Sequence, residues 1–174
     1  MLIRLGTAIA VICLMSGAAA AQTVAKPTDP QIAHIAYTAG QIDIDAARQA
    51  LAKSTNRDVR AFADDMVRDH SAVNKQALDL VARLNVTPED NETSRALSKQ
   101  AADERAKLAK LSGAAFDEAY VANEVAYHKT VNGALANTLV PSATNPELKD
   151  LLETALKIFE GHQEHAEQLA ATLK

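Results

Sequence analysis

Apolar side chains recur every three or four positions in several long stretches of the chain, with polar side chains between them. This period predicts amphipathic α-helices, each with one buried face. The clearest stretch is residues 55–84, whose predicted buried face contains Val59, Phe62, Ala63, Met66, Val67, Val73, Ala77, Leu78, Val81 and Leu84. At about 100° per residue, His70 falls at the centre of this face, with Asn74 one turn later. The pattern therefore places an imidazole where a helical bundle normally has leucine.

Other stretches predict a set of helices around this one. Asp29 and Pro30 are typical of an N-cap and a first helical residue, so a helix is expected over residues 29–54. Helices are also expected over residues 114–139 and, after the cap Asn145, over residues 146–173. A shorter helix over residues 94–111 has few large apolar residues, which is typical of a crossover packed at one side. Residues 85–93 and 141–144 are expected to be a loop and a turn.

No strand pattern competes with these helices. Two consecutive helices joined by a short connection are antiparallel neighbours, because the connection has too few residues to return along the length of the bundle. The predicted fold is therefore all-α: an up-down four-helix bundle with a shorter crossover helix.

Two more predicted buried faces have a histidine at their centre. His128 and His162 take this position in the fourth and last helices, Glu124 lies one turn before His128, and Asp43 lies on the inner face of the first helix. With a rise of about 1.5 Å per residue, these groups fall at similar heights in the bundle. Imidazoles and carboxylates that converge inside a bundle form metal sites. The predicted metal ligands are therefore Asp43, His70, Glu124, His128 and His162.

The residue types restrict the metal. Neutral imidazole suits zinc, copper and iron, and a carboxylate adds charge. A di-iron centre needs Glu-x-x-His on two helices, but Val67 and Val125 stand three residues before His70 and His128. The pattern therefore favours a divalent transition metal (zinc, iron or copper) held for sequestration or stress protection, and it disfavours an oxidase. Asp69 is a candidate acceptor that would orient one imidazole.

A structural interpretation of the same residues is also open. An inward histidine is often a core residue hydrogen-bonded to a neighbour, and Asn74, Asp43, Tyr120 and Tyr127 are candidate partners. The protein would then be a non-catalytic structural or interaction module of the cell envelope, in which buried polar groups fix the helix register. His34 and His165 lie off the predicted buried faces.

The chain begins with the pattern of an export signal. Arg4 precedes an apolar run over residues 5–15, and small residues then offer a cleavage site after Ala21. We therefore expect a signal peptide over residues 1–21, a polar leader over 22–28, a bundle over 29–174 and a periplasmic location. Cys13, the single cysteine, lies in the signal, so the mature chain has no thiol chemistry. No later apolar run is long enough to cross a bilayer.

Composition excludes several other functions. The chain has a net charge of −4, no tryptophan and no basic patch interleaved with aromatic residues, so nucleic acid is not an expected partner. Glycines do not cluster into a phosphate loop, and no serine sits on a strand-to-helix elbow. The sequence assigns no enzymatic activity and no protein partner.

Three segments resemble a known family. They are MVRDH at residues 66–70, LSGAAFDEAY at 111–120 with His128 following, and NPELKDLLETALKIFEGHQEHAEQL at 145–169. They resemble the exported bacterial family known as domain of unknown function 4142, over about residues 29–173. The resemblance implies a ferritin-like fold and export, and no established activity.

The resemblance also places individual residues. Asp43 stands where family members tend to have glutamate, His70 follows Asp69 in an Asp-His pair, and His162 corresponds to the inward histidine of the last helix. His128 follows Tyr127, where the family commonly has a second Asp-His pair.

Overall fold

The computed structural model describes residues 26–173. The predicted signal peptide and most of the polar leader lie outside these residues. The helices are α1 (Asp29–Lys53), α2 (Arg57–Arg83), α3 (Glu92–Leu108), α4 (Gly113–Ala134), α5 (Val140–Ser142) and α6 (Pro146–Thr172), with a π-helix, Leu135–Leu139, between α4 and α5. The part of the chain described contains no strand. The predicted all-α fold, with four long helices and a shorter one, is confirmed.

The start of α1 differs by one residue from the prediction. Thr28 is the N-cap, and its N–H donates to Oε1 of Gln31 at 3.1 Å. The carboxylate of Asp29 instead accepts hydrogen bonds from the backbone N–H and hydroxyl of Thr144 and from the N–H of Asn145, at 2.6–2.9 Å. The prediction that Asp29 caps its own helix was therefore wrong, because its side chain joins the start of α1 to the start of α6.

The other helix starts follow local capping chemistry. Asn56 accepts from the N–H groups of Asp58 and Val59, so it is the cap of α2. Asn145 caps α6 as predicted. The loop before α3 is shorter than expected, because Asn91 accepts from the N–H of Ser94 at 3.1 Å and starts the helix two residues early.

The end of α4 was predicted as a regular α-helix to residue 139, followed by a turn. The structure has a π-helix from Leu135 to Leu139, and Pro141 lies in the short helix α5. In this segment the side-chain amide of Asn137 donates to the carbonyl of Gly133 at 2.9 Å. A side chain that bonds a carbonyl of the preceding turn competes with the regular ladder, and π-helical turns occur where that ladder is interrupted.

The core consists of two apolar clusters. One contains Ala46, Ala47, Ala50, Val59, Phe62, Ala63, Met66, Leu108, Phe116, Tyr120, Val121, Ala166 and Leu169. The other contains Ile32, Ile35, Leu80, Leu135, Leu139, Leu148, Leu152, Ala155 and Phe159. Each of the four long helices runs from one cluster to the other, α1 and α6 in one direction and α2 and α4 in the other. Between the clusters, each helix contributes buried polar side chains to a layer across the middle of the bundle.

The remaining elements complete the packing. Helix α3 lies mainly against α1, as expected for a crossover helix packed at one side. Among residues 26–173, no helix combines the length and apolar character that crossing a membrane requires.

Candidate metal centre

All five predicted ligands lie in the polar layer between the two apolar clusters. The exposed fraction is 0% for Asp43, 2% for His70, 1% for Glu124, 1% for His128 and 7% for His162. The three imidazole rings form a triangle whose centroids are 5.3–5.7 Å apart. The structure therefore brings together residues from four helices, at the common height that the spacing predicted.

Asp43 lies beside two of these rings. Its Oδ2 atom is 3.3 Å from Nε2 of His70 and 3.4 Å from Nε2 of His128. Ligand bonds of about 2.0–2.1 Å around a tetrahedral zinc ion place neighbouring ligand atoms about 3.3–3.4 Å apart. The two observed distances therefore fit donor atoms that share one ion.

The potential ligand atoms fall into two sets. One ring nitrogen from each of His70, His128 and His162 lies within 4.8 Å of the other two, and one donor atom from each of Asp43, Glu124 and His128 does the same. His128 belongs to both sets, and its Nδ1 lies 3.7 Å from Oε2 of Glu124. The layer thus has an imidazole side and a carboxylate side that meet at His128.

A backbone carbonyl of helix α4 determines which ring nitrogen of His128 carries the proton. Its Nδ1 lies 3.0 Å from the backbone carbonyl of Glu124, one turn earlier in α4. A carbonyl oxygen only accepts, so Nδ1 carries the proton and donates. The lone pair of this ring is therefore on Nε2, the nitrogen that faces Asp43.

The orientation of His162 depends on a residue of another helix. Its Nε2 donates to Oδ2 of Asp69 at 3.0 Å. Arg68 holds that carboxylate with two hydrogen bonds, of 2.8 and 2.9 Å, and these lower the pKa of Asp69, which stays charged. The structure thus gives Asp69 the predicted role of acceptor, toward His162 rather than toward the neighbouring His70.

Many buried polar atoms in this layer have no hydrogen-bond partner among the described residues. They are both oxygens of Asp43, both nitrogens of His70, Oε2 of Glu124, Nε2 of His128 and Nδ1 of His162. Native interiors leave few such atoms, because each one costs its full desolvation free energy. Their concentration at one place, on residue types that bind metals, fits a cation bound there.

Apart from Asp43, the partners that the structural interpretation named do not bond to a histidine. Asn74 donates to the carbonyl of Tyr37 at 3.3 Å, and the Tyr127 hydroxyl donates to the carbonyl of Ala39 at 2.8 Å. The buried hydroxyl of Tyr120 has no hydrogen-bond partner within residues 26–173. None of these three side chains therefore satisfies a histidine.

Burial controls the protonation of the layer. It raises the pKa of Asp43 to about 8, and burial together with Asp43 raises the pKa of Glu124 well above its usual value. Burial lowers the pKa of His128 to about 4, and it also lowers the pKa of His70 and of His162. The imidazoles are therefore neutral at pH 7, which is the form that binds a metal, whereas a bound cation would displace protons from the carboxyl groups.

An aromatic side chain packs against the polar layer, and a fourth histidine lies outside it. Phe159 stacks on the ring of His70, with centroids 4.2 Å apart and planes at 16°. Phe159 lies three residues before His162 and therefore on the same helix face. His165 is exposed and has an edge contact with Phe62, away from the three clustered rings.

Fold and polar layer together define a class: a helical bundle with a buried layer of histidine and carboxylate side chains between two apolar clusters. The sequence profile of the family described as "Domain of unknown function (DUF4142)" matches residues 14–169. The chain belongs to this family, as the resemblance indicated. No curated protein sequence matches it.

Two solved structures have a similar fold. One is described as "Crystal structure of DUF305 fragment from Deinococcus radiodurans", with a TM-score of 0.71 at 16% identity, covering 85% of this chain and 99% of that one. The other is "CopM in the Cu(II)-bound form", with a TM-score of 0.63 at 18% identity, covering 84% of this chain and 98% of that one. At such identities the likeness shows the helical-bundle fold alone, and the ferritin-like relationship stays a prediction.

Proposed function

We propose that this protein binds one divalent transition metal ion in the middle of its bundle. The ligands are Asp43, His70, His128 and His162, with Glu124 as a reserve ligand. The observation that carries the proposal is the set of buried lone-pair atoms on these five residues that have no hydrogen-bond partner among residues 26–173. A cation would satisfy several of them at once, which no single hydrogen bond does.

The donor set favours copper or zinc. Three imidazoles and one carboxylate suit copper, zinc and iron far better than magnesium or calcium, which prefer oxygen ligands. The solved structure of CopM, a bundle of similar fold, is described as Cu(II)-bound, and this supports copper as the first ion to test.

The surroundings of the site favour sequestration over catalysis. A catalytic metal keeps a coordination position open to substrate, whereas a closed protein ligand set retains the ion. Here the four ligands come from four helices, each is at least nine-tenths buried, and apolar clusters lie on both sides. The role we propose is therefore metal sequestration or stress protection, and the signal pattern of residues 1–21 supports the periplasm as its location.

A structural or interaction module of the envelope is the competing function. It is favoured by the two hydrogen bonds that fix His162 and His128. It gives no role to the unpaired atoms of Asp43 and His70, which are among the most deeply buried side chains described.

Elemental analysis of the protein, purified from the periplasm without chelator or affinity tag, tests the proposal. We expect about one equivalent of copper, zinc or iron, which is lost in a His70→Ala/His162→Ala double variant. A His34→Ala/His165→Ala double variant removes the same number of imidazoles outside the layer and should keep the metal. If the stripped wild-type protein takes up none of the three ions stoichiometrically, the proposal is wrong.

A further inference from the structure

A small cavity adjoins the carboxylate side of the layer. It has a volume of about 120 Å³ and lies between α1, α3 and α4. Asp43 and Glu124 form part of its lining, and none of the three clustered histidines does. Since one water needs on the order of 10–15 Å³ of such space, the cavity has room for several waters or for a partly hydrated ion.

The outer wall of this cavity is α3, the least embedded of the five longer helices. Only Ser94 and Leu108 of α3 are buried. Its C-terminal half is attached to α1 by exposed polar contacts: Gln49 donates to the carbonyl of Arg105, and the guanidinium of Arg105 lies 3.2 Å from Asp45. Such contacts exchange readily with water, because exposed ion pairs contribute little free energy.

The chemistry inside the cavity suits a cation in transit. Oε2 of Glu124 and both carboxylate oxygens of Asp43 are buried and have no partner among the described residues. The amide of Asn123 lies 3.5 Å from Oε1 of Glu124. Toward the outside, the lining includes Gln100 and Glu104, and the carboxylate of Glu104 is paired with Lys107. Oxygen-bearing side chains therefore line this cavity both at its rim, beside Arg105, and at the buried pair.

A larger cavity that also borders the layer lacks these features. It has a volume of about 770 Å³, is lined mostly by apolar side chains and contains none of the five predicted ligands. It reaches the layer at Asn74 and at Phe159, whose ring covers His70. An ion that followed this route would pass mostly apolar side chains and would meet no buried carboxylate before the imidazoles.

We propose that the metal ion enters beneath α3, is first held by the carboxylates of Asp43 and Glu124, and then passes to the imidazoles of His70, His128 and His162. His128 belongs to both donor sets, so it remains close to the ion during the transfer. Asp43 also stays in contact, because its Oδ2 lies near two of the imidazoles. Glu124 is then a ligand of the transfer step rather than of the final site. This inference rests on the proposed function.

Uptake kinetics test the route. The purified full chain, stripped of metal, is mixed with Cu²⁺ in a stopped-flow instrument, and quenching of tyrosine fluorescence follows binding, since the chain has no tryptophan. Equilibrium titration of the same samples gives stoichiometry and affinity. Three variants are compared with wild type: Glu124→Gln removes the receiving carboxylate, Ala101→Leu narrows the small cavity, and Ala36→Leu fills part of the apolar cavity.

We expect Glu124→Gln and Ala101→Leu each to slow uptake by about tenfold, which corresponds to about 1.4 kcal/mol on the barrier. The stoichiometry of Ala101→Leu should not change, and Ala36→Leu should bind at the wild-type rate. Equal rates in all four proteins that bind copper would overturn the route and leave the proposed function intact. Loss of stoichiometric binding in Glu124→Gln would make Glu124 a permanent ligand and overturn the transfer step. No binding by wild type would instead remove the proposed function.

Discussion

The imidazole of His162 donates from Nε2 to Oδ2 of Asp69 across 3.0 Å, and this leaves Nδ1 as the nitrogen with a lone pair in the core. Arg68 holds Asp69 from the outside, so the ring is oriented by a chain of two charged side chains. A metal ligand whose second nitrogen donates to a carboxylate is both better oriented and more basic. Asp69 is therefore a positioning residue for the centre, although it does not face it.

Asp69→Ala should weaken metal affinity by about 10–100-fold, the usual cost of losing such a carboxylate. Competition with a chromophoric chelator measures the affinity. Asp65→Ala is the matched control, because Asp65 also binds Arg68 but does not contact His162. An equal loss in both variants would assign the effect to Arg68 and to surface charge rather than to the ring.

His70→Leu separates the binding function from the structural one. Neither nitrogen of His70 has a hydrogen-bond partner among the described residues, so the apolar replacement removes a desolvation penalty. The metal-free variant should keep or raise the wild-type Tm, by about 2–4 °C for each kcal/mol gained.

Added metal should raise the Tm of wild type more than the Tm of His70→Leu. Ligand at 100 times its Kd stabilises a folded protein by about 2.7 kcal/mol, so wild type should gain several °C when copper or zinc is added. His70→Leu should gain little. Thermal scans with and without metal measure both effects. Equal shifts in the two proteins would exclude His70 as a ligand.

The sequence predicted the fold well because hydrophobic periodicity is a local signal. The apolar face of residues 55–84 and the cap Asn145 determined α2 and α6 to within a few residues. The same periodicity placed His70, His128 and His162 at the centres of their faces. Each helix contributes at least one such group, so counting residues from the connections was enough to predict a common height.

Other features depend on contacts between distant segments, which periodicity does not contain. Asp29 is a typical N-cap, but its carboxylate is used by Thr144, which is 115 residues away in the chain. Which nitrogen of His162 faces the core depends on Asp69, on another helix. The sequence named Tyr127 as a possible partner of a histidine, but its hydroxyl reaches the carbonyl of Ala39 instead.

Replacing either of two helical glycines by alanine should change stability, but in opposite directions. A Cβ atom on Gly40 would lie 2.3 Å from Oδ1 of Asn74, a buried side chain bonded to the carbonyl of Tyr37. Gly40→Ala should therefore destabilise the protein by about 1–3 kcal/mol, because Asn74 must move and lose its partner. Gly133 has nothing within 4 Å of that position, so Gly133→Ala should stabilise the helix by about 0.5–1 kcal/mol.

Urea unfolding of the metal-free proteins measures this pair. A neutral Gly40→Ala would mean that α1 and α2 separate slightly at low cost, and that Asn74 contributes little to the register of the layer. A destabilising Gly133→Ala would indicate that the segment before the π-helix needs the conformational freedom of glycine.

The stability of the metal-free protein should depend on pH differently from the stability of the metal-bound protein. Burial raises the folded-state pKa of Asp43 from 3.8 to about 8, so the folded state holds a proton that the unfolded state releases. The contribution of this carboxyl to stability is complete below its unfolded pKa and is lost as pH rises toward 8. The histidines act in the opposite sense, because their folded pKa values are lowered, but their effect ends above their unfolded value of 6.5.

Between pH 6.5 and pH 8 the change of folding stability with pH therefore comes from the buried carboxyl groups and not from the histidines. Stability of the metal-free protein should fall over this range by up to about 2 kcal/mol for Asp43, at about 1.36 kcal/mol per unit for one proton. Metal affinity should rise over the same range, because the cation no longer has to displace that proton. Urea unfolding with and without zinc at each pH measures both trends. The Asp43→Asn variant has no titrating group at this position, so the stability of its metal-free form should fall less steeply with pH. If stability falls as steeply in the variant as in wild type, Asp43 is already ionised in the folded protein at pH 6.5.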